Sequence, residues 1–202
     1  MKLVIIGAGG HAKVVVDTAQ FAGWQVIGFV DNNLDANLFG LPHLGKLSDL
    51  ELQKDVGVII AIGSNSVRKK LDLEFSNRFS WAKIIHPKAV ISGRAIIEMG
   101  TVVFAGAVIQ ADAIVGRHCI VNTSASVDHD CTIADYCHVA PNATLTGGVT
   151  LETGAFVGAG SIVTPNRRVG SWAILGAGGV SVKDLDSNET YAGIPAKRFI
   201  SS

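Results

Sequence analysis

The sequence predicts a two-part chain: a small α/β unit with a nucleotide-type turn, followed by a parallel β-helix. Three observations predict it. Gly is abundant, at 23 residues, while aromatics make up only 6% of the chain, so the core must be built from small and aliphatic side chains joined by tight turns. An aliphatic residue recurs every six positions from Ile85 to Leu175, sixteen times without a miss. A strand–glycine-turn–helix pattern opens the chain. At 202 residues the length suits one domain or two small ones.

Residues 1–83 hold the first unit. Leu3-Val4-Ile5-Ile6 reads as a buried strand and runs straight into Gly7-Ala8-Gly9-Gly10-His11-Ala12. A helix is expected from about Lys13 to Ala22, then a strand from Gln25 to Val30 that ends at Asp31. This is G-x-G-x-x-A between strand and helix with an acid about twenty residues on, the pattern of a Rossmann-like nucleotide site. Its glycines permit a tight turn, the helix start offers N–H groups to phosphate, and Asp31 is placed to accept from ribose hydroxyls. A third strand, Val56 to Ile62, leads into Gly63-Ser64-Asn65. About eighty residues hold one mononucleotide-sized half. That size disfavours a nicotinamide dehydrogenase and favours a nucleotide carried on something else.

Residues 84–202 hold the repeat. A period of six fits neither a helix nor an alternating strand, but it fits a solenoid whose faces are one hexad long. The fourth residue after each aliphatic is small in every hexad except at Arg167, where, beside Pro165, the coil is expected to loop outward. Three faces make an eighteen-residue coil, so about five coils are expected, stacked as parallel strands about 4.8 Å apart. Cys119, Cys131 and Cys137 all fall in the small inward column and read as buried thiols.

Charge balance argues against other classes. Lys+Arg and Asp+Glu are 17 each, which leaves no electrostatic case for nucleic acid or an anionic membrane. Mean hydropathy is +0.37, yet no apolar run reaches about eighteen residues. Met1 to Gly10 lack the marks of a signal peptide, so a cytoplasmic protein is the expectation. No metal is expected: His118, His129 and His138 are eleven and nine apart, unlike the close spacing of a histidine-ligated hydratase. A non-catalytic scaffold would need neither the nucleotide-type unit nor His129.

His129 stands out among six histidines because it sits between Asp128 and Asp130 at the third place of its hexad, where a side chain faces out near a turn. An acid on one imidazole nitrogen fixes the tautomer and favours the cation formed when the other takes a proton. His138 sits at the last place of its hexad, a column that is aliphatic in most earlier repeats. Gly147 follows His129 by eighteen residues and should stack upon it. His43, His86 and His118 carry no functional case, and His86-Pro87 reads as a junction.

The six-residue pattern resembles the hexapeptide-repeat left-handed β-helix, and the resemblance, not the spacing, supplies the hand. Nearly the whole chain is similar to two-domain bacterial sugar acyltransferases, the bacillosamine-type N-acetyltransferases and the sialic acid O-acetyltransferases. The carrying residues are Ile6 to His11, Ala61 to Asn65 with Arg68-Lys69-Lys70, Asn122-Thr123-Ser124, Val127 to Cys131, His138-Val139 and Gly193 to Lys197. The resemblance implies acetyl-CoA as co-substrate, a nucleotide-linked amino sugar as acceptor, and a homotrimer with active sites between subunits. It makes His129 the catalytic base, with Asp130 and Asn122 beside it, and puts Gly9, Gly10, His11, Asp31, Asn32, Gly63 and Asn65 at the acceptor. His138, Gly147, Ala159, Ala177 and Lys197 fall to acetyl-CoA, with Gly147 as an oxyanion donor and Lys183 and Arg198 as further phosphate partners. The reaction so implied is acetyl transfer to the 4-amine of a nucleotide-linked 4-amino-4,6-dideoxy sugar; O-acetylation of sialic acid or another sugar is the alternative.

Overall fold

A computed structural model describes residues 1–53 and 55–199. The chain forms two compact units, Met1–Pro87 and Lys88–Ser202.

In the first unit, β1 (Lys2–Ile6), β2 (Gln25–Val30), β3 (Val56–Ile60) and β4 (Ser80–Trp81) form an all-parallel sheet in the order β2-β1-β3-β4. The chain runs from β1 to one side and later to the other, so the carboxyl ends of β1 and β3 make a switch point, where open α/β sheets bind ligands. Helix α1 (Gly10–Phe21) starts three residues earlier than the periodicity predicts, directly on the glycine turn. A second helix, α2 (Asn65–Phe75), follows β3. Val4, Ile6, Val30, Val58, Ile60 and Phe75 pack on one side of the sheet. Leu3 and Ile5, fully buried, alternate to the other, so both faces are covered as a parallel sheet requires. Gly7 has φ 100°, and a Cβ there would lie 2.9 Å from Ile62 Cγ1, so neither the backbone nor the space admits another residue.

The second unit is a solenoid of two-residue strands on three faces. One face stacks six of them: Val90–Ile91, Val108–Ile109, Ser126–Val127, Thr144–Leu145, Ile162–Val163 and Val180–Ser181. The solenoid thus has about six coils where the repeat count gives five. Pairings between the hexad strands follow the eighteen-residue register, as in Ser126↔Thr144↔Ile162, until Ile174–Leu175 pairs sixteen residues on with Thr190–Tyr191.

Two features of the hexad explain why this sequence coils. The third residue after each aliphatic has positive φ at fourteen successive positions, from Gly100 to Gly178. Gly, Asp and Asn fill most of them, residues that tolerate left-handed backbone. His118, Tyr136 and Trp172 occupy three others, which share one edge of the coil with Gly100 and Gly154. His118 stacks on Tyr136 at 5.9 Å, and a Cβ at Gly100 or Gly154 would fall 2.4 Å from the His118 or Trp172 ring. Those two glycines make room for the rings in the next coil.

The small inward column also carries a repeated hydrogen bond. Thr101 Oγ1, Cys119 Sγ, Cys131 Sγ, Cys137 Sγ and Ser161 Oγ each donate to the carbonyl fifteen residues ahead, those of Gly116, Ala134, Thr146, Glu152 and Gly176. The cysteines are therefore more than small apolar fillers: each S–H satisfies a turn carbonyl, and burial pushes the Cys131 and Cys137 thiols up. Arg167 does not loop the coil outward. Its carbonyl accepts from Thr150 N–H at 2.9 Å and Thr150 stays paired with Arg168, because the Arg167 side chain turns aside to Pro165 O at 3.2 Å.

Strand residues point alternately in and out, which gives an internal control. Replacing inward Leu145, fully buried, by Ala should cost about 2–5 kcal/mol. The same change at Ile162, 40% exposed on the next strand of that face, should cost less than about 1 kcal/mol in denaturant unfolding.

Candidate functional site

Two sets of polar residues stand out, one in each unit. In the solenoid, the turn after Ser126–Val127 carries Asp128-His129-Asp130. Asp130 has φ 59°, and this left-handed turn brings its Oδ2 back to 2.7 Å from His129 Nδ1. Asp128 Oδ1 accepts from the His129 backbone N–H at 2.8 Å. The side chains of His129 and Asp130 are 61% and 66% exposed, so the pair faces outward from the coil. The hydrogen bond that the ring donates to Asp130 and the charge of Asp128 raise the His129 pKa above its ordinary value. The companion acid does reach the ring although it is the short Asp.

Gly147 lies against that ring. A Cβ there would be 2.6 Å from His129 Cε1 and 2.7 Å from Nε2, and Gly148 N–H donates to His129 O at 3.0 Å. Only a residue without a side chain fits, and its backbone approaches the edge of the imidazole where a proton would be taken.

Asn122 is engaged elsewhere. Thr123 N–H donates to its Oδ1 at 2.8 Å, which fixes the amide orientation and turns Nδ2 toward His138 Nε2 at 3.0 Å. Since Nδ2 can only donate, His138 Nε2 accepts, and the ring is the neutral tautomer with its proton on Nδ1. His138 is nearly buried and meets Phe156 edge to face at 5.0 Å. Within the described chain no hydrogen bond joins Asn122 to His129; the structure pairs Asn122 with His138 instead.

Ala159 and Ala177 occupy equivalent turn positions in successive coils, followed by Gly160 and Gly178 with φ 66° each. All four are exposed, and a Cβ at either glycine would meet nothing within 4 Å. This edge is flat and bare. Lys197 is exposed in the closing two-residue strand, whereas the guanidinium of neighbouring Arg198 is held by Glu189.

In the first unit, a cavity of about 450 Å³ opens at the ends of β1, β2 and β3 against α2. Its polar lining comes from Asp31, Asn32, Ser48, Lys70 and Glu74, with Ile6, Gly7, Ile62 and Phe75 among its other walls. Asp31 and Asn32 were legible as candidates from the fingerprint. Gly9 and Gly63 on the adjoining loops, and Gly10, His11 and Asn65 in the first turns of α1 and α2, are not in the lining. Arg68, which spacing alone did not single out, is almost completely buried at 1% exposure. It donates to the carbonyls of Ile62 and Gly63 at 3.1 and 3.0 Å and to Asn65 Oδ1 at 3.0 Å. Burial, helped by the Arg68 charge, lowers the His11 pKa to about 4, so His11 is neutral at neutral pH. A buried Arg is only affordable with such partners, and the sequence sign was its place just after Gly63-Ser64-Asn65.

No group of His, Cys, Asp and Glu among the described residues is arranged to hold a metal ion. No helix of the described chain is long and apolar enough to cross a membrane.

A Rossmann-like unit joined to a hexapeptide β-helix with an outward His–Asp pair defines a hexapeptide-repeat acyltransferase. Comparison with known proteins agrees. Residues 2–72 match the PglD N-terminal domain family, and residues 112–147 match the bacterial transferase hexapeptide (six repeats) family. Among solved structures, PerB from Caulobacter crescentus, in complex with CoA and GDP-perosamine, is 39% identical with a TM-score of 0.94, covering 99% of this chain and 98% of that one. The acetyltransferase domain of PglB from Neisseria gonorrhoeae is 36% identical with a TM-score of 0.94, covering 98% of this chain and 99% of that one. A curated relative, the uncharacterized protein L142 of Acanthamoeba polyphaga mimivirus, is 32% identical over 97 residues, 48% of this chain. The chain spans only 20% of that relative's length. The chain belongs to the family of acetyl-CoA-dependent, hexapeptide-repeat sugar N-acetyltransferases.

The buried pair in the first unit gives a direct test. Proton titration by NMR should show His11 still neutral down to about pH 4. In Arg68→Gln its midpoint should rise, because the neighbouring cation is gone; an unchanged midpoint would assign the whole depression to burial.

Proposed function

We propose that this chain transfers acetyl from acetyl-CoA to the 4-amine of a nucleotide-linked 4-amino-4,6-dideoxy sugar, with His129 as general base. The observation that carries the reading is the 2.7 Å bond between His129 Nδ1 and Asp130, with Gly147 against the Nε2 side of the outward-facing ring. Support for the acceptor comes from the relatives solved with CoA and GDP-perosamine.

With Nδ1–H committed to Asp130, the lone pair of His129 is on Nε2. The acceptor amine attacks the thioester carbonyl and passes its proton to Nε2. The resulting imidazolium is stabilised by Asp130 and by the charge of Asp128. The Gly147 N–H acts as oxyanion donor in the tetrahedral intermediate. Collapse breaks the C–S bond, and Nε2–H returns the proton to the CoA thiolate. His138, held neutral by Asn122, contacts the acyl-carrying end of acetyl-CoA. The pantetheine arm lies along the bare Ala159–Gly160 and Ala177–Gly178 edge, and Lys197 meets a phosphate.

The acceptor occupies the cavity at the ends of β1, β2 and β3. Asp31 and Asn32 line it, and Gly9, Gly10 and His11, with Gly63 and Asn65, border its sugar-diphosphate. In this reading the active enzyme is a homotrimer with sites completed between subunits, and it works in the cytoplasm, where acetyl-CoA and nucleotide sugars are made.

Thiol release from acetyl-CoA should be rapid with one member of a panel of UDP-, dTDP- and GDP-linked 4-amino-4,6-dideoxy sugars and absent with free sialic acid. Release with sialic acid alone would overturn the acceptor assignment. His129→Ala should lower turnover by about 10² or more while CoA still binds; a near wild-type rate would remove the base. Gly147→Ala should lower kcat as well, since its methyl displaces the imidazole.

A further inference from the structure

The acid that follows β2 in a Rossmann-type fingerprint ordinarily reads ribose hydroxyls. Here both of its oxygens already have backbone partners. Ala8 N–H donates to Asp31 Oδ2 at 2.9 Å across 23 residues, and Asn33 N–H donates to Oδ1 at 2.9 Å. Gly7 N–H donates to Val30 O at 2.8 Å, so the ladder between β1 and β2 passes without a break into the Asp31 bond. On its other side the glycine turn packs close to Ile62, where a side chain at Gly7 would not fit. The carboxylate is thus a bridge between the loops after β1 and β2, at the wall of the cavity.

We propose that Asp31 is a positioning residue: it holds the glycine loop at Ala8 against the loop after β2 and so shapes the acceptor site, rather than selecting the ribose. A carboxylate suits this task because it is acceptor-only and serves two N–H donors at once, where Asn offers one acceptor oxygen and Ala none. The chemistry also explains a departure from nucleotide-binding proteins of the usual type: the Ala8 N–H is consumed internally and is not offered to phosphate. The inference rests on the acceptor reading above, so one part of its test uses no acceptor at all.

In amide hydrogen exchange on the full chain, Asp31→Ala should speed exchange at Ala8 by about 10-fold or more while the amides of Val4 and Ile5 in β1 keep their protection. Unchanged exchange at Ala8 would overturn the bridge whatever the acceptor proves to be. In steady-state kinetics, Asp31→Ala should raise the acceptor KM by about 10-fold or more with the acetyl-CoA KM held within about twofold. Asp31→Asn should fall between the two, and serves where Asp31→Ala fails to fold. The deciding readout is the ratio of kcat/KM for a ribonucleotide-linked sugar over its 2′-deoxy and 3′-deoxy forms. A ratio unchanged by the substitution supports positioning; one that collapses toward one assigns Asp31 to the ribose and overturns the proposal.

Discussion

The solenoid depends on one backbone constraint: a left-handed residue every six positions. That residue turns the chain at each corner, and a strict spacing of six makes each coil eighteen residues long, so that equivalent positions stack in register. Everything else in the second unit is derived from this. The aliphatic column fills the interior, the small column fits the bend, and Ser, Thr or Cys in that column reaches a turn carbonyl fifteen residues on. A single insertion would move every later side chain to the wrong column, much as a register slip does in a sheet.

The same register builds the candidate catalytic pair. Asp130 is itself one of the left-handed residues, and its conformation is what returns the carboxylate to the neighbouring imidazole. One coil later the place equivalent to His129 is Gly147, which leaves the ring its space. Asn122 and His138 are likewise held by the ladder, sixteen residues apart on the edge between two faces. The candidate site is placed by the turn geometry, without a dedicated loop.

Much of this was legible in the sequence because the period is short and exact. Sixteen aliphatic residues in step define the coil, and adding eighteen to His129 already reaches Gly147. The left-handed column was harder to read, since His118, Tyr136 and Trp172 sit in it against local preference and are accommodated by glycines a coil away. Partners set by side-chain reach were hidden too. Asn122 was expected near His129, but its amide partners, Thr123 and His138, could not be read from spacing. In the first unit, α1 and the first three strands followed from pattern, but the two-residue β4 was too short to read and α2 has a weak apolar stripe. Its buried Arg68 and Asp72 read as surface charges until the packing is seen.

The account stands or falls on His129 taking the proton while Asp130 holds its other nitrogen. The pH dependence of kcat/KM tests this, because it reports the free enzyme's base. Asp130 raises the His129 pKa, so the wild-type rate should fall on acidification with a midpoint above 6.5, and in Asp130→Asn that midpoint should move to lower pH as the maximal rate drops. An acid limb that stays in place when Asp130 loses its charge would contradict the assignment of His129 as the base.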